Sequence, residues 1–324
     1  MKNNKKIAIG ILAYNEEKHI GDVLSELEKI GVPIFVVNDS STDRTGEILD
    51  EFYSRKVIEV INNKKNKGAG HSTLQLLKKT KSENFKYLLK VDGDNQFKVS
   101  DIKRVINLLE TEKFDFIKSN RFWSKGIEGN IPNKRYLGNL FATMLIQFIS
   151  GSNKIYDPLN GLFAIDVKVL DIINPKVFPK RYGYPFYFSA LSAISFYKIY
   201  QINNIVSYAG QKSNLSSIKM IFTLSKLLLY FLFLKIKNKL LIGKYQRSAF
   251  LDIVSLIFLF ITFILTIRFI LIFTPIQIFG TSFIGSWALI VLITSIFNIL
   301  LFVESFKEEK AIRKNYIQNE DLIE

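Results

Sequence analysis

The sequence of residues 7–37 is IAIGILAYNEEKHIGDVLSELEKIGVPIFVV. Its two apolar runs, Ile7 to Leu12 and Pro33 to Val37, are typical of buried β-strands. Between them, Lys18 to Ile30 carries apolar residues at i, i+3 and i+4, which is the spacing of an amphipathic helix. A strand, a helix and a second strand in this order predict two parallel strands joined by a crossover helix.

The same alternation continues along the first half of the chain. Further strands are predicted at Val57 to Ile61, Tyr87 to Val91 and Phe114 to Lys118, and further helices at Thr45 to Tyr53, Ala69 to Thr80 and Ser100 to Glu112. We therefore expect a mostly parallel, Rossmann-like α/β sheet with helices on both faces. Ligands of such sheets bind beyond the carboxyl ends of the strands, so polar residues that follow strands are the functional candidates.

Composition limits the classes of protein and partner. The chain has 324 residues, of which 48% are hydrophobic, a formal net charge of +15 and no Cys. Without Cys there is no disulfide framework, cysteine nucleophile or thiolate zinc site. The positive charge suits an anionic membrane surface, a phosphorylated ligand or nucleic acid. Because no nucleic-acid-binding motif occurs in the sequence, nucleic acid is not an expected partner.

Two long apolar stretches mark the second half of the chain, Phe250 to Thr274 and Thr281 to Val303. Each would span roughly 35 Å as a helix, enough to cross a hydrocarbon core of about 30 Å. Lys and Arg flank the outer ends of the pair, and the connector at Pro275 to Gly280 is uncharged. The positive-inside rule then predicts a transmembrane hairpin with the N-terminal domain and both termini in the cytosol.

Met220 to Ile242 interleaves lysines with apolar residues. This pattern predicts one or two amphipathic helices in the membrane interface, and an ordinary core-packing helix is the alternative. The expected organisation is a cytosolic domain over 1–215, juxtamembrane helices over 216–247, two transmembrane helices over 248–304 and a cytosolic tail over 305–324.

Four polar motifs follow or precede the predicted elements: LAYNEE at 12–17, VNDSSTDRT at 37–45, NKGAG at 66–70 and DGDNQ at 92–96. Asp92 and Asp94 are two carboxylates one residue apart, which repel each other unless a cation lies between them. Oxygen ligands of this kind select Mg²⁺ or Mn²⁺, and such ions are commonly shared with a diphosphate. Taken singly, each motif is also explained by a turn or a helix cap.

In their order, spacing and placement the four motifs are together similar to those of family 2 glycosyltransferases, which have the GT-A fold. The chain resembles in particular the membrane-anchored dolichol-phosphate and polyprenyl-phosphate sugar synthases. This resemblance implies a nucleotide-sugar donor bound by Ala13, Tyr14, Glu16, Asp39, Lys67, Gly68 and Asp92. It also implies a divalent metal, Mg²⁺ or Mn²⁺, on Asp92, Asp94 and Gln96.

The resemblance further implies catalytic roles for Asp92, Asp94, Arg121, Arg135 and Asp157, and an acceptor phosphate held by Arg135, Lys212 and Ser213. Lys219, in the basic segment next to the membrane, is a further candidate for that phosphate. The sequence also departs from the family pattern. Asn38 stands where an Asp is usual, and the segment Tyr184 to Phe188 stands where relatives usually carry an acidic residue. A protein base at that second position is therefore not expected.

The acceptor is predicted from the absence of acidic residues between Ile172 and Leu251, a segment rich in Lys and Arg. A sugar hydroxyl needs a base to remove its proton, whereas a lipid phosphate is already ionised near neutral pH. We expect inverting transfer of a sugar from a UDP- or GDP-sugar to a polyprenyl or dolichyl phosphate, in the assembly of a cell-envelope glycan. The alternatives are transfer to a glycan hydroxyl with Asp157 as base, and a non-catalytic scaffold subunit. A homo-oligomer formed through the hairpin is a further expectation.

Overall fold

The computed structural model describes residues 6–121, 133–151, 154–204, 217–241, 246–272, 284–313 and 317–319. The chain forms two compact units, one of residues 1–231 together with 315–324 and one of residues 232–314. The predicted domain bounds at residues 215, 247 and 304 stay predictions, and the division between the two units falls at residue 231. It lies within a helix, because the first part of that helix packs into the first unit.

The first unit is built on an eight-stranded sheet. Its strands are β1 (Ile7–Ala13), β2 (Ile34–Asn38), β3 (Ile58–Asn62), β4 (Tyr87–Asp92), β5 (Phe116–Asn120), β6 (Phe163–Asp166), β7 (Ile199–Asn203) and β8 (Ile317–Asn319). They lie in the order β3-β2-β1-β4-β6-β5-β7-β8. Neighbours are parallel except that β6 is antiparallel to both β4 and β5. The prediction of a mostly parallel α/β sheet is confirmed.

The helices of the first unit are α1 (Ile20–Glu28), α2 (Thr45–Ser54), α3 (Ala69–Ser82), α4 (Val99–Glu110), α5 (Asn133–Ser150) and α6 (Tyr184–Ile194), with a 3₁₀-helix at Val167–Asp171. Alternate residues of β1 point to opposite faces of the sheet. Ile9 and Ile11 join the core formed with α1, α2 and α4, while a Cβ added at Gly10 would lie 2.6 Å from Leu88 Cδ1 and 3.0 Å from Leu76 Cδ1, the latter on α3. Helices therefore cover both faces, as the sequence predicts.

Three strands, β6, β7 and β8, are absent from the sequence prediction. The first two have only four and five residues, and β8 lies in the region predicted to be a tail. The helix before β8, α9 (Ile284–Arg313), continues ten residues past the last predicted apolar position at Val303. Part of this polar end is buried, since Ser305 and Glu309 lie inside the second unit. Their packing extends the helix beyond its apolar stretch.

The second unit contains the end of α7 (Ser217–Leu241), together with α8 (Gln246–Ile272) and α9. The helices α8 and α9 run antiparallel, with the rings of Phe258 and Phe297 4.9 Å apart and a hydrogen bond of 2.5 Å from Ser255 Oγ to Asn298 Oδ1. Two segments, Gln246–Arg268 and Ala288–Ala311, are long and apolar enough to cross a membrane. Their apolar side chains are largely exposed in the structure.

An ion cluster lies where the three helices of the second unit meet. The Glu309 carboxylate of α9 forms ion pairs with Lys235 at 2.8 Å and with Lys239 at 2.5 Å, both on α7. Lys239 also pairs with Asp252 of α8, which in turn accepts a hydrogen bond from Ser305. The sequence pattern predicts these lysines on a polar face in the membrane interface, whereas the structure buries them. A buried charge requires a partner, and the cluster provides acidic partners for both lysines.

We expect Glu309→Gln to lower the free energy of unfolding by about 3–5 kcal/mol, because it leaves the buried ammonium of Lys235 without a compensating charge. The matched control is Glu304→Gln on the same helix, where the carboxylate is 47% exposed and pairs with the exposed Arg247. That change should cost less than about 1 kcal/mol. Thermal unfolding of the full chain in detergent measures both, and equal losses would show that the cluster contributes no more than a surface pair.

Candidate active site

The loops that follow β1 and β2 are joined to each other by hydrogen bonds. Asn15 donates its backbone N–H to Ser41 Oγ at 3.1 Å and accepts from the backbone N–H of Thr42 at 2.8 Å. The backbone N–H of Glu16 donates to Thr45 Oγ1 at 2.8 Å. Because β1 and β2 are parallel neighbours, both loops emerge at the same edge of the sheet. The first two sequence motifs thus form one rigid rim.

Asp39, just beyond β2, holds the third motif in place. Its carboxylate is buried and accepts from the backbone N–H groups of Lys67 at 2.9 Å and Gly68 at 2.7 Å. It also accepts from Asn63 Nδ2 at 2.8 Å. The predicted donor residues Asp39, Lys67 and Gly68 are therefore brought together, with Asp39 determining the path of the loop before α3.

The glycines of the third motif are explained by a second loop that passes over them. Gly68 has φ of +94°, and a Cβ added at Gly70 would lie 2.0 Å from the carbonyl oxygen of Pro179. The backbone N–H of His71 donates to the carbonyl oxygen of Lys180 at 2.8 Å. Residues 179–181 thus cap the start of α3 and bring exposed basic side chains, Lys180 and Arg181, to this rim.

Three carboxylates gather at the ends of β1 and β4. Burial, and then the charge of Asp92, raise the pKa of Asp94 to about 7. Burial, followed by the charges of Asp94 and Asp92, likewise raises the pKa of Glu16 to about 7. Carboxylates that repel one another in this way are stabilised by a cation between them.

The donor atoms at this cluster suit a hard divalent cation such as Mg²⁺ or Mn²⁺, because they are all oxygens. Within the described residues, however, no group of three or more His, Cys, Asp or Glu side chains forms a complete cage for a metal ion. That Asp92, Asp94 and Gln96 hold such an ion stays a prediction.

Asp92 is held from two sides. Its Oδ1 accepts from the fully buried ammonium of Lys90, two residues earlier on β4. On the other side lies Gly161, where an added Cβ would be 2.1 Å from Asp92 Oδ2 and 3.2 Å from Lys90 Nζ. Gly161 thus lies directly against this carboxylate.

Arg121 and Asp157 form a closed pair at the end of β5. Arg121 donates Nε to Asp157 Oδ2 at 2.7 Å and a terminal nitrogen to Oδ1 at 2.7 Å. The same carboxylate accepts from the backbone N–H of Arg121 at 3.0 Å and from Asn160 Nδ2 at 3.1 Å. Burial opposes ionisation, but Arg121 lowers the pKa of Asp157 below its usual value. A carboxylate in this state is a poor proton acceptor, although Asp157 is the base that the sequence suggests.

Two buried lysines were missed from the sequence. Lys90 contacts Asp92, and Lys118 of β5 donates to the carbonyl oxygens of Tyr156, at 2.8 Å, and of Asp157. Burial lowers the pKa of Lys118 to about 7. The available signal was a Lys in the middle of an apolar strand, since a charge at a buried position is retained only with a partner.

Other predicted site residues are placed as follows. Ala13 is buried at the end of β1, and Tyr14 is exposed beside it. Lys219 is exposed on α7. Arg135 belongs to α5 but its side chain lies outside the described residues, as do Lys212 and Ser213. Their predicted contact with an acceptor phosphate stays a prediction.

Comparison with known proteins identifies the family. The model of glycosyl transferase family 2 matches residues 8–171, which include all four sequence motifs. This match agrees with the GT-A type of α/β sheet implied by the resemblance.

Relatives with assigned activities match part of the chain. The UDP-N-acetylglucosamine–dolichyl-phosphate N-acetylglucosaminyltransferase of Methanococcus voltae is 29% identical over 55% of this chain and 76% of its own length. The dolichol-phosphate mannosyltransferase of Pyrococcus furiosus is 26% identical over 51% of this chain and 47% of its own. The chain spans between 47% and 76% of the length of the curated relatives it matches. The crystal structure of S. aureus TarS 1-349 with UDP has 17% identity over 76% of this chain and 72% of that one, with a TM-score of 0.48.

We expect Gly161→Ala to reduce activity by up to about 100-fold, because the added Cβ would displace the Asp92 carboxylate and a shift of about 1 Å in an active site has effects of that size. The matched control is Gly138→Ala in α5, where nothing lies within 4 Å of the added Cβ. Adding a methyl there should stabilise the helix by about 0.5–1 kcal/mol and leave activity unchanged. The glycosyltransferase activity of both variants measures this, and full activity of Gly161→Ala would contradict the close packing.

Proposed function

This chain belongs to glycosyl transferase family 2, and we propose that it transfers a sugar from a nucleotide-sugar donor to a polyprenyl or dolichyl phosphate at a membrane. The observation that carries the proposal is the acidic cluster of Glu16, Asp92 and Asp94 beside the loop that Asp39 holds. This arrangement suits a donor that brings a diphosphate and a divalent cation together. The two relatives with assigned activities support the lipid phosphate as acceptor, since both are named for transfer to dolichyl phosphate.

The donor would lie across the ends of β2, β1 and β4. Ala13, Tyr14, Glu16, Asp39, Lys67 and Gly68 would contact its nucleoside, on the rim formed by the first three motifs. Its diphosphate would then point to Asp92 and Asp94, since β4 is the next strand in the sheet. A divalent cation bound there would neutralise the charge that develops on the leaving diphosphate.

The transfer would be a single displacement that inverts the anomeric centre. An oxygen of the acceptor phosphate forms the new bond to the anomeric carbon as the bond from that carbon to the diphosphate breaks, and the nucleoside diphosphate leaves. A phosphate oxygen has no proton to lose at neutral pH, so the chain need not supply a base.

The surroundings of Asp157 support this choice of acceptor over a glycan hydroxyl. Asp157 is the carboxylate that the hydroxyl alternative requires as base, but it is fully buried and its oxygens bind Arg121 and Asn160. The described part of the segment 172–251 contains only basic and neutral side chains. A cation-rich environment of this kind favours an acceptor that carries negative charge.

We further propose that α8 and α9 span the membrane as a hairpin, with the catalytic unit and both termini in the cytosol. The exposed apolar surface of both helices and the Lys and Arg residues at their outer ends support this topology. Anchoring would keep enzyme and lipid acceptor in the same two-dimensional phase, which raises their effective concentration.

The test is sugar transfer by the purified full chain in detergent, with Mn²⁺ or Mg²⁺, a panel of UDP- and GDP-sugars, and polyprenyl phosphate. We expect radiolabelled glycolipid to form only with metal, and Asp94→Ala to lower the rate by at least about 100-fold through loss of charge stabilisation. Asp50→Ala, which removes an exposed carboxylate of α2, should leave the rate unchanged.

The remaining outcomes distinguish the alternatives. Hydrolysis of the donor without glycolipid would favour a glycan hydroxyl as acceptor. Absence of both donor turnover and metal-dependent nucleotide binding would reject an enzyme and favour a scaffold subunit.

A further inference from the structure

Lys90 is a buried cation at the centre of the acidic cluster. Its side chain is fully buried within β4, and its ammonium pairs with Asp92 Oδ1. A second neighbour is Tyr184 at the start of α6, whose buried ring has its centroid 5.5 Å from Lys90 Nζ. Neither the sequence motifs nor the family resemblance assigns a role to this lysine.

The position of Lys90 affects both the charge and the geometry of the site. Among the ion pairs of the described residues, Lys90 is the cation that pairs with Asp92, and it offsets one of the negative charges shared by Glu16, Asp92 and Asp94. It also occupies Oδ1, so the carboxylate can offer a cation Oδ2 with little freedom to rotate. Gly161 packs beside that second oxygen, which limits the movement of the carboxylate further.

We propose that Lys90 is a positioning residue that fixes the Asp92 carboxylate and weakens the binding of a free divalent cation, so that the cation binds tightly only together with the donor diphosphate. This inference rests on the proposed function, because it takes the acidic cluster to be the metal site. Its physical basis is that the affinity of an oxygen site for a divalent cation follows the net charge of its ligands. An internal ammonium makes the net charge of these ligands less negative. The diphosphate of the donor restores the negative charge.

The chain offers a matched control in Lys118. This lysine is as deeply buried as Lys90 and lies on β5, on the other side of β6, but it donates to backbone carbonyl oxygens instead of Asp92. Lys118→Gln therefore reproduces the loss of a buried lysine side chain without changing the charge that faces the cluster. Lys90→Arg provides a conservative replacement that keeps the charge.

The experiment measures binding of Mn²⁺ to the full chain in detergent by electron paramagnetic resonance, without nucleotide and with UDP or GDP. We expect wild type to bind Mn²⁺ at least about tenfold more tightly with the nucleoside diphosphate than without it. Lys90→Gln should bind Mn²⁺ alone at least about tenfold more tightly than wild type does. The nucleotide should therefore increase the Mn²⁺ affinity of this variant less than it increases that of wild type. Lys118→Gln and Lys90→Arg should both resemble wild type.

The outcomes separate this inference from the proposed function. If wild type binds Mn²⁺ with nucleotide but Lys90→Gln binds Mn²⁺ alone no more tightly than wild type, only the role of Lys90 is rejected. If wild type binds Mn²⁺ equally well with and without nucleotide, the role of Lys90 is rejected even when Lys90→Gln does not fold. If wild type binds no Mn²⁺ in either condition, the metal-assisted function itself fails.

Discussion

Lys90 and Lys118 place two ammonium groups inside the sheet, and a buried charge is tolerated only when it is paired or hydrogen-bonded. Each lysine finds its partners near the carboxyl ends of the strands, at the edge of the sheet where the candidate site lies. Lys90 binds the Asp92 carboxylate, and Lys118 binds the carbonyl oxygens of Tyr156 and Asp157. The side chain of Asp157 then binds Arg121. The positions of the acidic cluster and of the segment beside it both follow from satisfying these two charges.

The segment 154–161 receives further support from the neighbouring strand. Gln201 of β7 accepts from the backbone N–H of Tyr156 at 2.8 Å and donates to the carbonyl oxygen of Lys154. The segment is therefore bound to two strands before it reaches Gly161 and meets Asp92. A site built in this way is held by rigid elements, which limits how far the carboxylate can move when ligands bind.

The strands β1 to β5 and their helices could be predicted because short continuous apolar runs and helical spacing of period 3.6 are local signals. The acidic pair could be predicted because Asp92 and Asp94 stand one residue apart after such a run. The antiparallel strand β6 could not, because its four residues, Phe163–Asp166, are specified by pairing with distant strands. The roles of Asp39 and Asp157 were also hidden, since their partners lie 28 and 36 residues away in sequence. Local patterns identify a polar residue at a strand end, whereas its hydrogen-bond partners depend on the tertiary fold.

After the second unit, the chain returns to the first unit and forms the strand β8 there. Residues 317–319 pair in parallel with β7, although α8 and α9 come before them in sequence. The second unit is therefore an insertion within the first, not an appendage at its end. A fragment made by stopping the chain before α8 would lose β8 and leave β7 as an unpaired edge, which favours aggregation. A soluble catalytic fragment should therefore replace residues 232–314 with a linker and retain β8.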